Sequence, residues 1–258
     1  MKSILRLSPF LQIIWFHMRQ KLFFSERPEV IYAVGDVHGC LDLLHILQDK
    51  IQADAAQETG AKWIVMLGDY VDRGPKSSAV LEELITTKPN GMLRFCLAGN
   101  HEESMLDFIR NPHRDHRWLE FGGIETLQSY GIPWLPDDNR QLRAAVQQAI
   151  PPHHIAFAAS LPSLIAVPGL CFVHAGLLND VPIEQQEDKN LLWIRPSQQG
   201  APSVPNPFLT VHGHTPVRNV AMVENRVNVD TGAFMTRRLS AVKIKSDGEI
   251  TVMTSDSR

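Results

Sequence analysis

Three cysteines in 258 residues leave little room for a disulfide framework. Cys40, Cys96 and Cys171 sit in or beside apolar, strand-like runs, at no spacing that would hold a metal through thiolates. They read as buried thiols of a reducing, cytosolic compartment. An excess of one charge is missing too: 25 basic residues stand against 28 acidic ones. The net charge of −3 offers no broad basic face for nucleic acid. No apolar run reaches the roughly 20 residues of a membrane-crossing helix. The nearest, close to the N-terminus, is interrupted by His17, Arg19 and Lys21 and ends in SERPE, which is no secretory cleavage site. Internal repeats and low-complexity tracts are absent as well.

What is present is enough apolar residue, 44%, to bury one substantial core or one core with an appended subdomain. Residues 1–28 stand apart. Lys2, Arg6, Arg19 and Lys21 are interleaved with large apolar groups, and no acid precedes Glu26. Such a segment suits a peripheral contact with an anionic membrane surface or a partner. It equally suits a helix packed on the domain's own surface.

From residue 29 onward, EVIYAV, WIVML and LRFCLA alternate with the helix-like LDLLHILQDKI, SSAVLEELITT and EESMLDFI. That alternation predicts βαβ units and a parallel sheet. Residues 111–160, with mixed helical patches such as DNRQLRAAVQQAI, read as a helical insert or cap over the sheet edge. Beyond residue 163, three hairpin-like units turn at PG, EN and SDG. A Pro/Gln/Ser-rich loop, 196–208, lies between the first two and is long enough to border a site. The fold class is α/β grading to α+β, a mixed sheet system with helices outside.

Nearly every strand-like run ends in a possible metal ligand. GDVHG offers Asp36 and His38, GDYVDRG offers Asp69, GNHE offers Asn100 and His101, LCFVH offers His174, and HGHTP offers His212 and His214. Sites in open α/β sheets form at the carboxyl ends of strands, so these clusters should converge. Carboxylate, imidazole and amide oxygen without thiolate suit manganese, iron or zinc. Six ligands are too many for one catalytic ion that keeps open positions, so two divalent ions sharing Asp69 is the economical reading. His45, His113, His116, His153 and His154 lack the strand-end placement and read as ordinary histidines.

GDVHG, GDYVDRG, GNHE, VHAG and HGHTP resemble, in order, the signatures of the calcineurin-like metallophosphoesterases. The intact DRG and the GHTP resemble the phosphoprotein phosphatase branch, in particular its short bacterial and phage members. The likeness spans about residues 30–245. It implies a four-layer αββα sandwich holding two metal ions. Asp36, His38 and the bridging Asp69 would hold one ion, and Asn100, His174 and His214 the other. His212 would stand behind the ligands. A hydroxide held between the ions would attack phosphorus in line. His101 would protonate the leaving oxygen with Asp72 orienting it, and Arg73 and Arg195 would clamp the phosphate alongside Asn100.

The reading that follows is a metal-dependent phosphomonoester hydrolase, most simply a bacterial-type serine/threonine protein phosphatase acting on phosphorylated protein or a small phosphoester. The alternative is a dinucleoside polyphosphate (diadenosine tetraphosphate) hydrolase. Those enzymes resemble this chain in GDVHG and GNH but usually lack the DRG aspartate, so Asp72 favours the monoester. A non-catalytic binding protein is the remote third reading.

Overall fold

In Val30–Val34 (β2) side chains alternate between two apolar environments, as a strand's two-residue period requires. Val30, Tyr32 and Val34 face one cluster, and Ile31 and Ala33 face another. A computed structural model of the chain, which describes residues 18–200, 203 and 207–256, shows what lies on each side. Lys21–Phe23 (β1) precedes β2, and Leu41–Ala55 (α1), Lys62–Met66 (β3), Ser77–Thr86 (α2), Leu93–Cys96 (β4) and Asn100–Arg110 (α3) follow it. The insert holds Gly123–Ser129 (α4), Asn139–Ala149 (α5) and Pro152–Ser160 (α6). Next come Leu164–Val167 (β5), Leu170–Val173 (β6), Asp188–Trp193 (α7) and Leu209–His212 (β7). The chain closes with Ala221–Val223 (β8), Arg226–Asn228 (β9), Ala233–Thr236 (α8), Ser240–Lys245 (β10) and Ile250–Thr254 (β11).

One sheet has the order β11-β10-β2-β3-β4, the other β1-β5-β6-β7-β9-β8. Each mixes parallel and antiparallel pairs: β2, β3 and β4 run parallel, as do β6, β7 and β9, and the three hairpins are antiparallel. Ile31, Ala33, Val65 and Val242 of the first sheet meet Ile165, Phe172, Val211 and Val227 of the second in one buried cluster. The first sheet's opposite face packs against the helices, through Leu44, Leu47, Val80, Leu81 and Met105. Leu164, Ala166, Cys171 and Val173 cover the second sheet's outer face together with Leu191 of α7. The layers are therefore helix, sheet, sheet, helix, the metallophosphoesterase sandwich. Among the described residues no helix is long and apolar enough to cross a membrane.

Three details differ from the expectation. The boundary after residue 28 cuts through a sheet: β1 pairs in parallel with β5, from Lys21 opposite Leu164 to Phe23 opposite Ala166. Phe24 then packs edge-on against Trp63 and Phe95, at 4.7 and 5.5 Å between ring centres. Residues 21–24 thus belong to the fold, and residues 1–17 lie outside the described residues. The insert, expected as a cap over the sheet edge, contributes Trp118, Leu127, Leu142, Val146 and Ile150 to the helix-side core of the first sheet. Of the thiols only Cys171 is fully buried, with Cys40 and Cys96 partly so.

Candidate metal centre

The parallel strands β2, β3, β4, β6 and β7 all deliver their polar residues at their carboxyl ends, and these meet between the two sheets. Asp36, His38, Asp69, Asn100, His101, His174 and His214 are all buried. The Oδ2 atom of Asp69 sits at their centre, 3.6 Å from His38 Nε2, 3.8 Å from His101 Nε2 and 3.3 Å from His174 Nε2. Two compact donor groups share that carboxylate: His38, Asp69 and His101, and Asp69, His174 and His214. Asn100 Oδ1 joins the second, 2.9 Å from His174 Nε2 and 2.8 Å from His214 Nδ1, and the two histidine nitrogens are 3.2 Å apart.

Backbone carbonyls fix which nitrogen faces inward. His38 Nδ1 lies 2.8 Å from the Val71 oxygen and His174 Nδ1 lies 2.8 Å from the Leu67 oxygen. An Nδ1–H donated to each carbonyl leaves the Nε2 lone pair free for an ion, the usual second contact of a ligating histidine. Asp36 donates nothing and accepts the His214 backbone N–H at Oδ2, 3.0 Å, while its Oδ1 is buried without a hydrogen-bond partner. A Cβ on Gly99 would strike Asp69 Oδ1, and one on Gly213 would strike Asp36 Oδ1, so both glycines make room for a carboxylate. Five non-glycine residues of the site have left-handed backbones: His38 (φ 43°), Asp69 (51°), Asp72 (73°), Arg73 (68°) and His214 (66°).

The electrostatics favour positive charge. Burial, and then the neighbouring Asp230, push the Asp36 carboxyl well above its usual range. Burial lowers His174, but the adjacent Asp69 outweighs it and raises the imidazole to about 10. His38 and His214, where burial prevails, fall to about 3 and bind no proton near neutrality. The buried Asp69, the unprotonated His38 and His214 nitrogens, and a His174 whose proton an ion would displace form a donor set that divalent ions would satisfy. His38, Asp69 and Asp36 could hold one ion and Asp69, Asn100, His174 and His214 a second.

His101 stands differently from the other histidines. Its Nδ1 is 2.6 Å from Asp72 Oδ2, and its Nε2 is 3.1 Å from an Arg73 amine. A guanidinium at that nitrogen disfavours a metal cation there. Burial lowers His101, and Asp69 and Asp72 together outweigh it, so the imidazole is raised above its ordinary value. Arg73 also lies over the Phe234 ring, 4.7 Å from its centre. Arg195 is exposed at the rim, its Nη1 3.4 Å from the His214 carbonyl oxygen and 3.3 Å from Thr215 Oγ1. His212 belongs to neither donor group; its Nδ1 lies 3.1 Å from the Gly213 oxygen.

Four supporting residues escaped the sequence reading. Glu102, fully buried, accepts the backbone N–H groups of Gly99, Asp69, Tyr70 and Val71 and so pins two of the ligand loops together. Burial and then Asp69 lift its carboxyl to about 7. Glu three positions after a glycine that opens a helix is a capping signal, and GNHE carries it. Trp118 and Thr126, from the insert, donate to the two oxygens of Asp72 at 2.7 and 2.6 Å. Asp230 ends NVD just past β9, so the same strand-end rule that selected the others would have found it.

Comparison with known proteins agrees with this geometry. The profile of the calcineurin-like phosphoesterases matches residues 30–242. The chain is 24% identical over 230 residues to an asymmetrical bis(5'-nucleosyl)-tetraphosphatase of Oceanobacillus iheyensis, covering 81% of this chain and 86% of that protein. It is 23% identical to the protein of the same name from Bacillus cereus, covering 86% and 93%. A crystal structure provisionally assigned as a diadenosine tetraphosphatase superposes with a TM-score of 0.64 at 19% identity, covering 94% and 100%. A protein serine/threonine phosphatase from Saccharomyces cerevisiae does so at 0.52 and 16%, covering 96% and 86%. With that match across most of its length and five strand ends converging on one carboxylate, the chain belongs to the calcineurin-like phosphoesterases.

Proposed function

We propose that this phosphoester hydrolase acts on dinucleoside polyphosphates, with diadenosine tetraphosphate as the type substrate. The observation that supports this most is a hollow of about 140 Å³ bordered by the cations Arg73 and Arg237 and the Phe234 ring, with Lys76 paired to Asp42 at 2.7 Å on its wall. It opens beside the metal centre, since Phe234 also meets the His38 ring edge-on at 5.3 Å. A tetraphosphate carries one negative charge per phosphate, and the carboxylate ligands already offset part of the charge of two ions, so fixed cations along its path would take up the remainder. Aromatic and guanidinium faces suit a nucleobase. The curated relatives that bear this activity in their names match along most of their length.

The residues then divide the work. Asp36, His38 and Asp69 hold one ion and Asp69, Asn100, His174 and His214 the other, with manganese the best fit to oxygen and imidazole donors and iron or zinc also compatible. When bound, such a pair supplies Lewis acidity at the phosphoryl oxygens and makes water nucleophilic near neutral pH. Arg73 and Arg195 grip the phosphate, and Asn100 orients it. Once Arg73 turns from His101 Nε2 to the phosphate, that nitrogen can carry the proton given to the leaving oxygen, while Asp72 holds the ring and balances its charge.

A second reading, a serine/threonine phosphomonoesterase, is favoured by the Asp72–His101 contact of 2.6 Å, because an alkoxide leaving group needs a strong proton donor more than a phosphate does. The test is a parallel assay of diadenosine tetraphosphate and a phosphoserine peptide, with wild type and Phe234→Ala. The dinucleotide reading expects the higher kcat/KM on diadenosine tetraphosphate and a selective loss there in the variant. Preference for the peptide, unaltered by Phe234→Ala, would overturn it.

A further inference from the structure

A second cluster of metal-binding side chains stands outside the Asp69 groups, where α2 meets the insert. Glu82 Oε2 lies 2.9 Å from His153 Nε2 and 2.9 Å from His154 Nε2. The two imidazoles cross at 80° with ring centres 4.5 Å apart, so their nitrogens converge on that oxygen. We propose that Glu82, His153 and His154 form a third metal site, suited to zinc, that ties α6 to α2.

Two neighbouring histidines on a helix ordinarily diverge by about 100°, which makes their convergence informative. The chain secures it at the start of α6, where Pro151 and Pro152 fix the entry and place both histidines in the first turn. His154 is 3% exposed, so its ring has one orientation, and its Nδ1 lies 2.6 Å from the Tyr130 hydroxyl. With Nε2–H donated to Glu82, Nδ1 accepts the Tyr130 O–H; an ion taking Nε2 would move the ring proton to Nδ1, where the same hydroxyl can accept it, the second contact typical of ligating histidines. Tyr130 is suited to the role because burial keeps its phenol protonated. His153 and Glu82 are about half exposed, which leaves solvent access for loading and a fourth position for water.

The chemistry selects the ion. A tetrahedral zinc ion with bonds of about 2.0–2.1 Å holds its donors roughly 3.3 Å apart, so the present 2.9 Å needs only a small opening. Two imidazoles and one carboxylate match zinc better than the all-oxygen sets that magnesium and calcium favour. Its position gives the ion a consequence. Tyr130 ends α4, and Thr126 on α4 donates to Asp72, so an ion on α6 and α2 braces the segment that holds the catalytic pair.

The test uses the full chain with manganese in excess, titrated with zinc chloride. Wild type, His153→Ala and Glu82→Gln are compared by metal analysis after desalting, with cobalt chloride as a spectroscopic substitute. Wild type is expected to keep one zinc beyond the catalytic ions, to show a tetrahedral cobalt band, and to gain thermal stability on zinc addition. His153→Ala, an exposed and structurally mild change, should lose all three while manganese-supported turnover persists. Glu82→Gln should weaken zinc affinity about ten-fold or more. Equal zinc content and equal zinc-induced thermal shift in wild type and His153→Ala would overturn the site. So would loss in Glu82→Gln without loss in His153→Ala.

Discussion

Trp118 donates its indole N–H to Asp72 Oδ2 at 2.7 Å, the same oxygen that His101 Nδ1 meets at 2.6 Å. The helical insert is thus part of the device that sets the His101 ring. Replacing His101 by Asn should leave metal content unchanged and lower turnover by about 10² to 10⁴. The loss should shrink on p-nitrophenyl phosphate, whose leaving group scarcely needs a proton. Equal losses on both substrates would remove His101 from the role of acid.

Asp69 is shared by both donor groups, whereas His174 serves one. Asp69→Asn should therefore deplete both ions and His174→Ala chiefly one, as read by metal analysis of the desalted proteins. Chelator should abolish wild-type activity, and manganese should restore it best. An active preparation with a single ion would refute the paired centre.

Glu102 satisfies four backbone N–H groups from a fully buried position. Glu102→Ala strands those donors and should destabilise the fold by about 3 kcal/mol or more, measured by denaturant unfolding. Activity should fall with it, because Asp69 and the Asn100 helix lose their common anchor. A loss under about 1 kcal/mol would mean that water replaces the carboxylate.

The N-terminal segment from Arg19 onward is engaged in the fold. Arg19 Nη1 donates to the Ala158 and Leu161 carbonyls, and Lys21 Nζ donates to that of Glu184, so two of the four basic groups are engaged in the fold. The tether reading expects removal of residues 1–17 to leave melting temperature and kinetics intact, since Arg19, Lys21 and β1 remain. Removing 1–26 strips β1 and Phe24 and should lower the melting temperature. Lys2 and Arg6 together contribute only about 2 kcal/mol at an anionic surface. Any binding of the full chain to anionic vesicles should therefore be weak, vanish in moderate salt, and disappear with residues 1–17.

Much of the site could be read before any coordinates, because each strand announces its end by a glycine beside a carboxylate or imidazole. Asp36, Asp69 and His174 stand out only as members of an ordered set of strand-end residues, since each taken singly reads as an ordinary buried group. What the chain hides is long-range. The strand Lys21–Phe23 carries no alternation of its own and gains its identity from Leu164–Ala166 far along the chain. Trp118 and Thr126 look like ordinary core residues until Asp72 is placed between them. His153 and His154 acquire a common target only when Glu82 arrives on another helix. The proposed substrate hollow is similarly distributed, since Arg73 and Phe234 meet only in space.

The left-handed backbones at His38, Asp69, Asp72, Arg73 and His214 bear on any effort to make this protein sturdier. Each is held about 1–2 kcal/mol above its relaxed conformation by the surrounding fold. Glycine at these five positions would relieve that tension, so a screen that rewards heat resistance alone will be drawn to them first. The variants it collects there will be well-behaved proteins without chemistry. An enzyme that is to be both robust and active must be selected on turnover from the first round, with its stabilising changes sought in the outer helices instead.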